Sequence, residues 1–111
     1  MMTCIITENS LELGKLALEY RDFITATEIF SKAIIEENRT DPEYWCWLAE
    51  ALFYQAQFDS ALKCWHEAAT LNPTNKMIWI RISAVYALLE QDDLAVYYYK
   101  FAEDLPMVLD Y

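Results

Sequence analysis

Cys64 and His66 are the residues of this chain whose types, taken together, could supply a nucleophile and a base or begin a metal site, and they stand two positions apart. In a helix that spacing points the two side chains to different sides, so neither a Cys and His nucleophile pair nor a shared metal ion follows. His66 is the only histidine, and Cys4 and Cys46 bear no ligand-like spacing to Cys64. Three thiols at unrelated spacings fit reduced cysteines better than a disulfide framework. The acidic group Glu90, Asp92, Asp93 suits a solvated turn and helix start, where the helix dipole favours negative charge. A single glycine cannot write any phosphate-binding loop. With no paired acid and base, no metal site and no cofactor site, the sequence predicts a protein that is not an enzyme.

The elements that carry these residues follow from composition. The chain has 111 residues, 56% of them hydrophobic, with four Trp, eight Tyr and five Phe, and 18 acidic against 8 basic residues give a net charge of −10. This predicts a single domain spanning residues 1–111, whose aromatic side chains can fill a core without disulfides or metals. One glycine and three prolines are too few for a turn-rich all-β fold. The acid excess argues against nucleic acid and anionic membrane as partners, since both select clustered Lys and Arg. The start Met-Met-Thr-Cys-Ile-Ile lacks a basic region, and no apolar run approaches the ~20 residues of a membrane span. A cytoplasmic location is expected.

Self-similarity gives the strongest signal. Trp45 and Trp79, Leu48 and Ile82, Ala61 and Ala95, Trp65 and Tyr99, and Ala68 and Ala102 are all 34 residues apart. Leu13, Gly14, Phe23, Ala26, Phe30 and Ala33 lie 35 residues before Leu48, Ala49, Phe58, Ala61, Trp65 and Ala68. The extra residue must fall between Ala33 and Pro42, in a polar segment able to absorb it. Each unit reads as two amphipathic helices. Trp45-x-x-Leu48-Ala49-x-x-Leu52 makes one apolar stripe and Phe58-x-x-Ala61-x-x-x-Trp65-x-x-Ala68 the second. Small residues let helices approach while large ones fill the gaps, which predicts Trp45, Trp65, Trp79 and Tyr99 as buried. Asp41-Pro42 suits an N-cap and first helical residue, Asp59 and Asp92 are expected just before the second helices of their units, and Asn72-Pro73 and Leu105-Pro106 suit helix ends.

On these residues the chain resembles the tetratricopeptide repeat, whose W-x2-L-G-x2-Y, A-x3-F, A, P pattern has a 34-residue period. Residues 42–75 fit almost throughout, through Trp45, Leu48, Ala49, Leu52, Ala61, Trp65, Ala68 and Pro73. Residues 76–109 fit through Trp79, Ile82, Ser83, Tyr86, Ala95, Tyr99 and Ala102. Residues 7–41 keep Leu13, Gly14, Ala26, Phe30 and Ala33, but Ser10 and Ala17 replace large residues. The resemblance implies an all-α fold of three helix-turn-helix repeats stacked as a short right-handed superhelix, without a full capping helix at its end.

It also implies a protein-binding groove along the first helix of each pair. By register the groove candidates are Leu11, Lys15 and Leu18; Cys46, Trp47, Glu50, Phe53 and Tyr54; and Met77, Ile80, Arg81, Ala84 and Leu88. This mostly apolar set suits an amphipathic helix or apolar peptide of a client protein. Phe53 and Ile80 lie off the Trp-x-x-Leu stripe, so a charge at either is expected to stay hydrated in the free protein. Relatives that clamp the acidic tails of heat-shock chaperones use Lys and Asn on this face. Leu11, Lys15, Trp47, Met77 and Arg81 stand at those positions here, and only two of them are charged, which disfavours that role.

Tyr97, Tyr98 and Phe101 are candidates for a second interface at the uncapped end, unless the tail Met107-Val108-Leu109 folds back over Tyr98 and Phe101. In size, acidity and repeat number the chain resembles the small cytosolic chaperones of bacterial type III secretion. A scaffold or assembly subunit, self-associating through its carboxyl-terminal end into a homo-oligomer or hetero-complex, is the alternative.

Overall fold

The computed structural model describes residues 10–38 and 41–106. They form six helices, α1 (Ser10–Glu19), α2 (Phe23–Glu36), α3 (Pro42–Tyr54), α4 (Phe58–Leu71), α5 (Lys76–Leu88) and α6 (Asp92–Asp104), with no strand among the described residues. Helices α1/α2, α3/α4 and α5/α6 pack as antiparallel pairs, and α2/α3 and α4/α5 join one pair to the next. The result is an elongated stack of 51 × 29 × 22 Å. Helices α2 and α4 both have 14 residues, so the extra residue lies in the linker before α3, not in a helix. Cys4, the tail Met107-Val108-Leu109 and the outer ends of the first and third units lie outside the described residues.

Each pair turns through the same three-residue device. After α3, the Gln57 N–H donates to the Leu52 carbonyl at 3.0 Å and the Ala56 N–H to the Phe53 carbonyl at 2.9 Å, a Schellman motif that closes the helix end. The residue at its centre must take a left-handed conformation, and Ala56 does so with φ of 61°. Arg21 (60°) and Glu90 (61°) hold the same place after α1 and α5. None of the three is glycine, the residue this conformation favours. Asp22 then caps α2 by accepting from the Thr25 N–H at 3.3 Å, whereas Gln57 and Gln91 give their helices no side-chain cap. Asp41 and Pro42 start α3 as expected, but Asp59 lies inside the first turn of α4 and Asp92 is the first residue of α6.

Ala26 and Ala33 on α2, and Ala61 and Ala68 on α4, are fully buried, and Phe30 and Trp65 fill the space between them. The third pair departs from the expected pattern. Tyr99, at the register of Trp65, is 48% exposed where Trp65 is 3% exposed. Trp65 packs edge-on to Phe53 and borders the cleft shared with α5, whereas no described helix follows α6 to cover the corresponding face. Tyr98 fills the third pair instead, its ring stacked on Trp79 at 5.7 Å and on Tyr86 at 5.4 Å. Trp79 and Trp45 are half-buried rather than buried. For Trp79 the reason is polar, since its indole N–H reaches the Pro73 carbonyl at 2.7 Å on the rim of the pair.

Candidate peptide-binding groove

Helix α3 is the centre of the face formed by the first helices, with α1 on one side and α5 on the other. Pro42 and Asp41 fix where α3 begins, and this sets Glu43, Trp47, Glu50 and Tyr54 along one exposed side at helical spacing. The Trp47 indole N–H donates to Glu43 Oε2 at 3.4 Å. Lys15 of α1 reaches across to the same carboxylate oxygen at 3.8 Å and sits 5.4 Å from the Trp47 ring centre. From the other side, Arg81 of α5 pairs with Glu50 at 3.1 Å. One tryptophan and two carboxylates on α3 are thus tied to a cation on each neighbouring first helix.

Two clefts flank Trp47 and Glu50. The cleft toward α5, about 500 Å³, is bounded by Cys46, Met77, Ile78 and Arg81 and by Asn72 and Asn75 of the linker. The cleft toward α1, about 410 Å³, is bounded by Lys15, Leu18, Glu19, Arg21, Phe23 and Tyr54. Because Trp47 and Glu50 line both, the clefts adjoin in one groove across the three helices. Its walls hold three cationic residues, Lys15, Arg21 and Arg81, and three carboxylates, Glu19, Glu43 and Glu50. The groove is therefore electrically balanced within a protein of net charge −10.

Of the groove candidates, Lys15, Leu18, Cys46, Trp47, Glu50, Tyr54, Met77 and Arg81 come together around the clefts. Phe53 does not: its ring points into the pair, edge-on to Phe58 at 5.4 Å and to Trp65 at 5.9 Å. Because Phe53 is half-buried, a charge there would already be partly desolvated in the free protein. Leu11 packs onto the core, and Ile80, Ala84 and Leu88 lie on α5 but line neither cleft. At the carboxyl-terminal end Tyr97 and Phe101 are exposed, while Tyr98 is taken up by the aromatic stack. Glu43 was not among the groove candidates, although it stands one helical turn before Trp47. Asn72 and Asn75 were missed because a groove reading confined to helices ignores the linker that forms the cleft's end.

The reactive groups are muted. Burial pushes the Cys46 thiol up to about 11, with Glu43 and Glu50 adding to the rise and Arg81 opposing it. Burial likewise pushes Cys64 to about 11, helped by Glu67. Both thiols stay protonated at neutral pH and are poor nucleophiles. His66 is surrounded by the rings of Trp79, Tyr86 and Tyr98 at 5.7 to 6.4 Å, and desolvation lowers its pKa. No group of metal-binding side chains occurs among the described residues, and no described helix is long and apolar enough to cross a membrane.

The architecture defines a helical-repeat protein, a class whose stacked pairs present a surface to other proteins. More narrowly, residues 42–75 match the tetratricopeptide repeat family model, and the outer pairs repeat the same helical hairpin. No curated protein matches the chain in sequence. Among solved structures it is similar to MamA, with a TM-score of 0.82 at 22% identity over 88% of this chain and 57% of that one. A MamA mutant superimposes with a TM-score of 0.81 at 21% identity, covering 91% of this chain and 73% of the mutant. The chain thus spans 57% of the length of the first of these MamA chains.

Proposed function

We propose that the groove centred on Trp47 holds an amphipathic helix or extended apolar segment of a client protein, and that the chain acts as a small chaperone of the secretion type. The observation that carries this reading is the adjoining of the two clefts at Trp47 and Glu50, which gives a channel spanning α1, α3 and α5. Tetratricopeptide pairs are protein-interaction modules, and a groove of this kind suits the helix-in-groove mode of recognition. Trp47, Met77, Tyr54 and Leu18 offer apolar surface, while Lys15, Glu43, Glu50 and Arg81 form polar edges that fix register.

The test is capture of partners from the native cell, followed by binding measurements with the purified partner. Met77 is exposed, so Met77→Glu leaves the core intact and places an unpaired charge where the client is desolvated. Binding should weaken by about a hundredfold or more, with little response to added salt. Unchanged binding by Met77→Glu and by Trp47→Ala would remove the groove from the account.

A further inference from the structure

The first and last pairs of the described helices expose opposite halves of one joint. Inside the chain, Gln55 and Thr27 bridge the α2/α3 joint, and Phe30, Leu48 and Ala51 beside them in register are buried. Gln55 Nε2 donates to Thr27 Oγ1 at 2.7 Å across it. One repeat later the same positions are Leu62 and Trp65 on α4, Ile82 and Val85 on α5 and its C-cap Leu89, all buried or half-buried. Carried to the amino-terminal end, the α3 and α5 half becomes Leu13 and Leu16 on α1 and Tyr20 just past its end, and these are 41%, 46% and 77% exposed. Carried to the other end, the α2 and α4 half becomes Val96 and Tyr99 on α6, exposed by 55% and 48%.

Scattered exposed apolar residues are ordinary on protein surfaces, and a capping helix in a repeat array turns a polar face outward. Here neither terminal face is polar at the joint positions. Tyr97 and Phe101, by contrast, stand where α4 has Lys63 and Glu67, so they belong to a different side of α6. We propose that copies of this chain stack head to tail, the α1 face of one copy closing on the α6 face of the next as a further inter-repeat joint. Tyr20 then lies over Val96 as Gln55 lies over Thr27, with an apolar pair replacing a hydrogen-bonded one. The two faces are unlike halves, so the contact is heterologous and each copy keeps one face free for growth. Each copy carries a charge of −10, so added salt strengthens the assembly by screening repulsion while the apolar joint is untouched.

The test is sedimentation velocity of the 111-residue chain across a concentration series, at low and high salt. Wild type should associate progressively, more so at high salt. Leu16→Glu, which blocks the α1 face, and Val96→Glu, which blocks the α6 face, should each weaken self-association by about tenfold or more. Mixed in equal amounts they should form a 1:1 dimer that grows no further, since each supplies the face the other lacks. Tyr20→Glu, at the most exposed of the five positions, serves as the head-blocking variant should Leu16→Glu melt early or lose helix by circular dichroism. A wild type that stays monomeric throughout, as it would if the chain's own ends cover these faces, overturns the proposal. So does self-association of either variant alone at the wild-type level, or a mixture that remains monomeric.

Discussion

Gly14 faces the ring of Phe30 so closely that a methyl group on its α-carbon would overlap three of that ring's atoms. Phe30 is fully buried between Ala26 and Ala33 and has no open side toward which to retreat. In an unconstrained helix, Gly→Ala gains about 1 kcal/mol of propensity. At this site overpacking costs about 1 to 3 kcal/mol. Gly14→Ala should therefore lower the midpoint of urea unfolding or leave it unraised. In a Phe30→Leu background the same substitution should cost measurably less, because the ring that obstructs the methyl group is gone.

The opposite sign is expected at Ala56. Its φ of 61° imposes the left-handed strain of a side-chain-bearing residue at the centre of a Schellman turn, and the residue is exposed, so its methyl group makes little packing contribution. Ala56→Gly should stabilise by about 1 kcal/mol. Glu90→Gly, in the equivalent turn, should do likewise and add to it, since the two turns share no partners. Thermal melts of the single and double variants would measure both effects.

His66 gives the stability a pH dependence of definite sign. Desolvation among Trp79, Tyr86 and Tyr98 holds its folded-state pKa below the ordinary value of 6.5, so the unfolded chain binds the proton more readily. The contribution of this site is complete above pH 6.5, falls as the pH drops below that value, and levels once the folded-state pKa is passed. His66→Gln should remove this component. It would be isolated as the difference between wild-type and variant unfolding free energies over the acid limb. An NMR titration of the ring should show a midpoint below 6.5.

What the sequence disclosed and what it concealed divide along a physical line. The 34-residue period placed Ala61, Trp65 and Ala68 correctly, because small and large residues at helical spacing encode packing inside a pair. Register alone could not say what lies beyond the pair. Tyr99 shares the position of Trp65, yet only a neighbouring helix would bury it, and Tyr98 takes over the third pair by stacking on Trp79. Within the groove, Trp47 and Arg81 were legible as first-helix residues off the packing stripe. The ion pairs of Lys15 with Glu43 and of Arg81 with Glu50 depend on how far apart three helices stand, which no spacing along one helix reports.

Phe53 marks the sharpest boundary between groove and core. An apolar stripe drawn through Trp45, Leu48 and Leu52 leaves Phe53 to one side, as though it faced a ligand. The middle pair is packed on several sides at once, however, and α3 also buries Tyr44, Ala49 and Ala51, so its apolar arc is wider than one stripe. Phe53 meets Phe58 and Trp65 edge-on and Tyr54 at 5.6 Å. Removing the ring forfeits its packing, about 3 to 5 kcal/mol for a fully buried phenylalanine and less for the half-buried Phe53. A carboxylate in its place must also be desolvated against aromatic faces or pull the turn open. Phe53→Glu should thus collapse the cooperative unfolding transition, while Met77→Glu, one pair along on the open groove, should unfold with a midpoint close to wild type. Side-by-side urea titrations of the two variants check the assignment, and a cooperative, wild-type-like Phe53→Glu would return that residue to the groove.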